Sequence, residues 1–168
     1  YGQTSYSNIY VIGDARNANS SSLSMQQGRL SVIHAFEQNK LSAFHNDPPC
    51  IFSFNPQVGV VGSTDEEDKY FVANIAHSRF KTSSTNPNDE IIKITYTSKG
   101  EIKAAVVIGE YASELINLIG LAIHFKITIE ELSNFYTAHP TYSDVILTMI
   151  REIEIHFRSK AYIENTII

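Results

Sequence analysis

Residues 91–109 read IIKITYTSKGEIKAAVVIG, and this stretch decides the fold. Two β-branched, largely apolar runs flank Ser98-Lys99-Gly100-Glu101, a pattern that predicts a β-hairpin bending at those four residues. The period changes at once in GEYASELINLIGLAIHF (109–125). Ala112, Leu115, Ile116, Ile119, Ala122 and Ile123 recur at helical spacing, while Leu118, Leu121 and Phe125 form a second apolar side. A helix that is apolar on two sides must be covered twice, by its own sheet and by a further surface such as another subunit.

Working outward, Thr128-Ile129-Glu130-Glu131 reads as a capping box opening a short helix to about residue 136. A last helix starts near Tyr142, with Val145, Ile146, Met149, Ile150 and Ile153 on one face and Arg151, Glu152 and Glu154 opposite. Upstream, IFSF (51–54), VGVVG (58–62) and residues 70–77 are strand candidates, and residues 86–89 are a turn cluster. TDEE at 64–67 predicts a second capping box and a brief polar helix. NKLSAFHNDPP (39–49) ends in two prolines and marks the domain boundary. Before it, residues 9–12 predict a strand closed by Gly13-Asp14, ARNANSSS (15–22) a polar loop, and residues 22–37 a helix with an uneven apolar face. The order is α+β: an antiparallel sheet of about four or five strands with helices on one face. The expected domains are 1–46 and 47–168.

Composition narrows the function. The 168 residues carry a net charge of −5 and no basic run, which argues against nucleic acid and anionic membrane as partners. No segment is long and apolar enough to predict a membrane span. Cys50 is the one cysteine, which removes an internal disulfide, a dithiol centre and a thiolate metal cluster, and fits a cytoplasmic protein. The six histidines all lie more than ten residues apart, so no local metal-ligand pair is present and no metal is expected. The chain opens YGQTS, with neither an initiator Met nor a signal-peptide pattern, and reads as part of something longer.

AHPTYSD (138–144) allows two readings. In the first, Pro140 and Thr141 open a helix and Asp144 completes a Thr-x-x-acid capping box at its positive end. In the second, His139 on a rigid turn, with a carboxylate near enough to orient it, forms an acid/base pair.

Five stretches in colinear order resemble the pyridine nucleotide-disulfide oxidoreductases: TSYSNIYVIGDA (4–15), QQGR (26–29), PPCIFSFNPQVGVVGSTDEED (48–68), GEYASELINLIGLAIHF (109–125) and AHPTYSD. The first looks like the end of that family's FAD-binding domain, the third like the opening of its dimerisation domain, and the fourth like its long interface helix. The resemblance implies that Asp14 hydrogen-bonds the ribityl chain of FAD. It also implies that His139 is the general acid/base serving the partner subunit's dithiol/disulfide site, and that Asp144 orients the imidazole. Pro140 would fix the direction of His139, a role often linked to a cis peptide.

The family acid is usually glutamate. Asp144 is one methylene shorter, which argues for a long hydrogen bond to His139 or none. The tail FRSKAYIENTII (157–168) has no counterpart in the pattern. A glycine-rich nucleotide fingerprint, a redox cysteine pair and an NAD-binding domain are absent from the sequence. The resemblance therefore implies a C-terminal part of a homodimeric FAD- and NAD(P)-dependent enzyme, inactive by itself and binding neither cofactor. His139 favours a dihydrolipoamide dehydrogenase-like parent. GEYASEL and QQGR look more like a soluble pyridine nucleotide transhydrogenase, and a non-catalytic oligomerisation module is the reading from a different class.

Overall fold

The computed structural model describes residues 1–18, 20–37, 48–74 and 91–166, with side chains for 48–73 and 91–159 in the last two segments. The chain divides into two compact units, Tyr1–Pro48 and Pro49–Ile168. Most of the expected boundary segment 39–49, the turn at 86–89 and the end of the strand expected at 70–77 lie outside the described residues.

In the second unit, five strands among the described residues form one antiparallel sheet in the order β1-β2-β5-β4-β3. These are β1 (Cys50–Phe52), β2 (Val58–Gly62), β3 (Lys69–Asn74), β4 (Ile91–Tyr96) and β5 (Ile102–Ile108). The hairpin expected from residues 91–109 is β4–β5, and its bend is closed by Thr97 N–H to Glu101 O (2.9 Å) and Gly100 N–H to Thr97 O (2.9 Å). Gly100 sits at φ 82°, the left-handed region that suits glycine.

Strand alternation sorts the side chains. The row Gly59–Val107–Ile92–Ala73 and the row Val61–Ala105–Ile94–Phe71 share one face, and their apolar members join the core with the helices. α2 (Ala112–His124) lies on β2 and β5, and α4 (Tyr142–Thr166) packs on α2 and on α3 (Ile129–Ser133). The approach of α2 is close: a Cβ at Gly59 would lie 3.0 Å from both Ile116 Cβ and Ala112 O. α2 buries Ala112, Leu115, Ile116, Ile119 and Ala122. Of the expected second side, Leu118 packs against the core, while Leu121 (54%) and Phe125 (66%) stay exposed. In α4, Ile146, Leu147, Ile150 and Ile153 are fully buried, so the expected apolar face also includes Leu147. Past the expected helix face, Phe157 packs on the core and His156 lies beside the Phe71 ring at 5.8 Å.

Two local expectations fail. The TDEE segment forms a turn, not a helix. Asp68 N–H donates to Asp65 O (3.1 Å), and Asp65 N–H donates to Asp68 Oδ2 (2.8 Å). Four polar residues offer no apolar face to repay helix nucleation. In the first unit, the strand expected at residues 9–12 is reduced to an isolated bridge, Gln3 to Tyr10. Gly13 then enters a 3-10 helix, Gly13–Arg16. The run meets a neighbour, since Thr4 N–H donates to Ile9 O (2.9 Å) and Val11 N–H to Gly2 O (2.8 Å), but the pairing ends there, short of a strand ladder. The helix expected next is α1 (Ser21–Glu37), whose buried residues are Gln27, Leu30 and Ser31. Gln27 Oε1 accepts from Gly13 N–H at 2.8 Å.

Candidate functional site

α3 is a short helix with a complete N-terminal closure. Thr128 Oγ1 accepts from Glu131 N–H (3.2 Å), and Glu131 Oε2 accepts from Thr128 N–H (2.9 Å). The Thr128 backbone N–H first, and then the Thr128 hydroxyl, which also donates to Glu131 Oε2 (2.9 Å), hold the Glu131 carboxyl below its usual range. After Ser133 the chain runs through residues 134–141 into α4. This connection carries His139, joined to Pro140 by a cis peptide bond.

Three side-chain interactions shape the connection near His139. Thr141 Oγ1 donates to Ala138 O (2.7 Å), Thr137 Oγ1 donates to Asp144 Oδ1 (3.4 Å), and His139 Nδ1 meets Asp144 Oδ2 at 2.7 Å. The capping-box reading of Thr141 and Asp144 is corrected by this arrangement. Asp144 N–H donates to the Thr141 carbonyl (3.2 Å), the Thr141 hydroxyl donates to Ala138 O, and the Asp144 carboxylate turns toward His139 and Thr137. The shorter acid does not lengthen the contact either. Asp144 stands in the first turn of α4, five residues past His139, where the turn at Pro140–Thr141 brings the imidazole to it. Asp144 still carries its charge at the helix end that favours it.

The chemistry follows from the pairing. A carboxylate can only accept, so the shared proton belongs to Nδ1 and Asp144 selects that tautomer of a neutral ring. Proton exchange with another molecule then falls to Nε2, on a side chain 66% exposed. The ring is at once oriented and accessible.

Asp14 belongs to the other unit. It sits in the 3-10 helix rather than at the end of a strand, and lines a cleft with Ser20, Ser21, Ser24 and Met25. A carboxylate acceptor beside serine hydroxyls suits a polyol chain. Among the described residues, no group of three His, Cys, Asp or Glu side chains could hold a metal, and no helix is long and apolar enough to cross a membrane.

Two participants were not singled out by sequence. Thr137, two residues before His139, had no spacing that marked it. Arg151 stands opposite the apolar face of α4, where its Nε donates to Ser133 O (3.3 Å) and its Nη2 to Phe135 O (3.2 Å).

Residues 48–150 match the family model described as "Pyridine nucleotide-disulphide oxidoreductase, dimerisation domain". The dihydrolipoyl dehydrogenase of Mycoplasma pneumoniae is 30% identical over 162 residues, covering 89% of this chain and 35% of that protein. The glutathione reductase of a Nostoc species is 25% identical over 159 residues, with the same coverage of 89% and 35%. Among solved structures, LpdA from Mycobacterium tuberculosis superposes with a TM-score of 0.81 at 24% identity, over 90% of this chain and 35% of that one. The chain thus spans about a third of the length of the curated relatives it matches (35%). With more than half of its residues inside the family model and the five-stranded sheet in place, the chain belongs to the pyridine nucleotide-disulphide oxidoreductases, and residues 48–150 are their dimerisation domain.

Proposed function

We propose that this chain is the interface part of an FAD-dependent, NAD(P)-linked disulfide oxidoreductase of the dihydrolipoamide dehydrogenase kind. It acts as a homodimer in which His139 is the acid/base for the partner subunit's dithiol/disulfide site. The observation that carries this reading is the 2.7 Å contact between Asp144 Oδ2 and Nδ1 of a largely exposed His139, within a family whose name specifies disulfide chemistry. An oriented base has work to do in deprotonating a dithiol, whereas hydride transfer between two nicotinamides needs none. The pair therefore speaks for a reductase over a transhydrogenase, and against a module that only assembles.

The open side of α2, around Leu121 and Phe125, supplies apolar surface for a two-fold contact, in which one patch pairs with itself. In this reading residues 1–46 are the end of an FAD-binding domain, and Asp14 with its neighbouring serines would hold the ribityl hydroxyls. The flavin would supply electron transfer between nicotinamide and disulfide. Asp14 would bind and orient, and His139 would move a proton at Nε2. Alone, the chain has neither turnover nor bound cofactor. The single cysteine suits a reducing compartment such as the cytoplasm.

The test is a chimera in which this chain replaces the matching third of the Mycoplasma pneumoniae dihydrolipoyl dehydrogenase. The expected result is a flavin-loaded dimer by light scattering that oxidises dihydrolipoamide, with His139→Gln lowering the rate by about 10²–10⁴. A loaded dimer whose rate is indifferent to His139→Gln would sink the acid/base role. A loaded chimera that stays monomeric at every concentration would sink the interface role.

A further inference from the structure

We propose that Arg151 is a positioning residue: it fixes the segment joining α3 to α4, and through it the geometry of the His139–Asp144 pair. The inference deepens the acid/base reading above and rests on it for its functional meaning.

The connection has little apolar anchorage of its own. Phe135 is 51% exposed and Tyr136 is 86% exposed, so burial does not decide where residues 134–141 lie. Hydrogen bonds must. Near α4 the segment is tied by Thr141 to Ala138 O and by Thr137 and His139 to Asp144. Near α3, the Ser133 hydroxyl and the Asn134 amide both turn back to Glu130 O. Those bonds knit the helix end but leave the carbonyls of Ser133 and Phe135, which point past it, to another donor.

Arg151 supplies that donor. Its guanidinium spans two carbonyls on alternate residues, Ser133 O and Phe135 O. The planar fork presents several N–H groups at once, which a lysine ammonium does not match. Its charge also faces the negative end of α3, and charge-assisted bonds are roughly twice as strong as neutral ones. The base of the fork is rigid, because Ile150 and Ile153 beside it in α4 are fully buried. One helix therefore holds the segment at both ends. Asp144 orients the imidazole directly, and Arg151 sets the path of the backbone that delivers it.

The experiment reads the His139 tautomer in the full 168-residue chain by imidazole ¹⁵N shifts, with thermal unfolding recorded in parallel. The variants are Arg151→Met, Arg151→Lys and Arg158→Met. Arg158 lies on the same helix and pairs with the carboxylates of Glu154 (2.7 Å) and Glu130 (3.1 Å) rather than with the carbonyls of Ser133 and Phe135, so its variant reports the effect of losing a cation from this face of α4 with those two carbonyl bonds left in place. Arg151→Met should move His139 from the Nδ1–H form toward the mixture of free histidine. Arg151→Lys should fall between that variant and the wild type, and Arg158→Met should leave the tautomer unchanged.

The proposal is overturned if Arg151→Met and Arg151→Lys both fold and retain the wild-type tautomer. It is equally overturned if Arg158→Met shifts the tautomer as far as Arg151→Met. If Arg151→Met does not fold, the comparison of Arg151→Lys with Arg158→Met decides by the same criterion. The tautomer is read without turnover. A shift in Arg151→Met beside an activity indifferent to His139→Gln would keep the positioning role and discard the acid/base reading.

Discussion

The two units of this chain handle apolar side chains in opposite ways. In Pro49–Ile168, Ile92, Ile94, Ile116, Ile119, Ile146, Leu147, Ile150 and Ile153 are shielded almost completely between the sheet and its helices. In Tyr1–Pro48, Ala18 and Leu30 are the buried apolar residues among those described, while Met25 (70%), Val32 (57%) and Phe36 (85%) stand in solvent. The first unit is held largely by polar contacts: Gln27 to Gly13 N–H, Tyr10 hydroxyl with His34 Nδ1 at 3.0 Å, and Tyr1 stacked on His34 at 4.4 Å. Helix content alone does not make a core. α1 is longer than α2, yet α2 carries a face that a sheet can cover.

The sharpest way to break this comparison is to separate the units. Residues 49–168 should unfold cooperatively on heating, followed by circular dichroism, and residues 1–48 should show no cooperative transition. A cooperative transition in 1–48 would show that its polar contacts suffice.

Point variants give the next largest contrast. Ile150→Ala should cost about 2–5 kcal/mol in denaturant unfolding, because it empties a fully enclosed site. Phe36→Ala should stay within about 0.5 kcal/mol despite removing a larger side chain, since that ring is mostly in water. Comparable losses at the two positions would mean that burial does not separate the units.

The smallest expected effect lies at the start of α3. Thr128→Ala should cost about 1 kcal/mol at neutral pH. Part of the wild-type advantage is tied to Glu131, whose folded carboxyl is held below its usual range first by the Thr128 backbone N–H, which alanine keeps, and then by the Thr128 hydroxyl, which alanine lacks. A depressed folded pKa stabilises the fold above the unfolded value, and that stabilisation is lost as pH falls through the folded value. The gap between Thr128→Ala and wild type in a melting series should therefore narrow on acidification below the ordinary glutamate range. A gap constant with pH would remove the bond between the Thr128 hydroxyl and Glu131 from the account.

Three Thr-x-x-acid segments show how far sequence carried and where it stopped. Thr128 and Glu131 make the full box, because Ile129 (1%) and Leu132 (5%) have a core to enter. Thr64 and Glu67 have the same end residues but only Asp65 and Glu66 between them, and the segment settles for a turn. Thr141 and Asp144 do open a helix, but the carboxylate has a better partner in His139. The three share a Thr-x-x-acid frame and differ in the residues inside it, which the sequence does show. What it does not show is the side chain waiting nearby, such as His139 for Asp144, and that is tertiary information.

The same distinction explains the other results. The β4–β5 hairpin and α2 were legible because their periods report directly on burial. The extent of the strand expected at residues 9–12 was not, because a strand is only as long as the neighbour it bonds, and here that neighbour is the short run Gly2–Thr4. Of the candidate site, His139 and Asp144 could be read from their spacing and from family resemblance. The contacts of Arg151 with Ser133 and Phe135, separated by 18 and 16 residues, could not.

The closeness of His139 and Asp144 along the chain has a consequence for how this site tolerates change over evolutionary time. Both groups come from one stretch of eight residues that also includes Thr137, so a single exchange of that stretch between genes carries the imidazole and its carboxylate together, and leaves only Arg151 to be matched from outside. One inserted or deleted residue between Thr141 and Asp144 would swing the carboxylate by about 100° around the helix axis, away from the ring it serves. For this short span, length is inherited more strictly than composition.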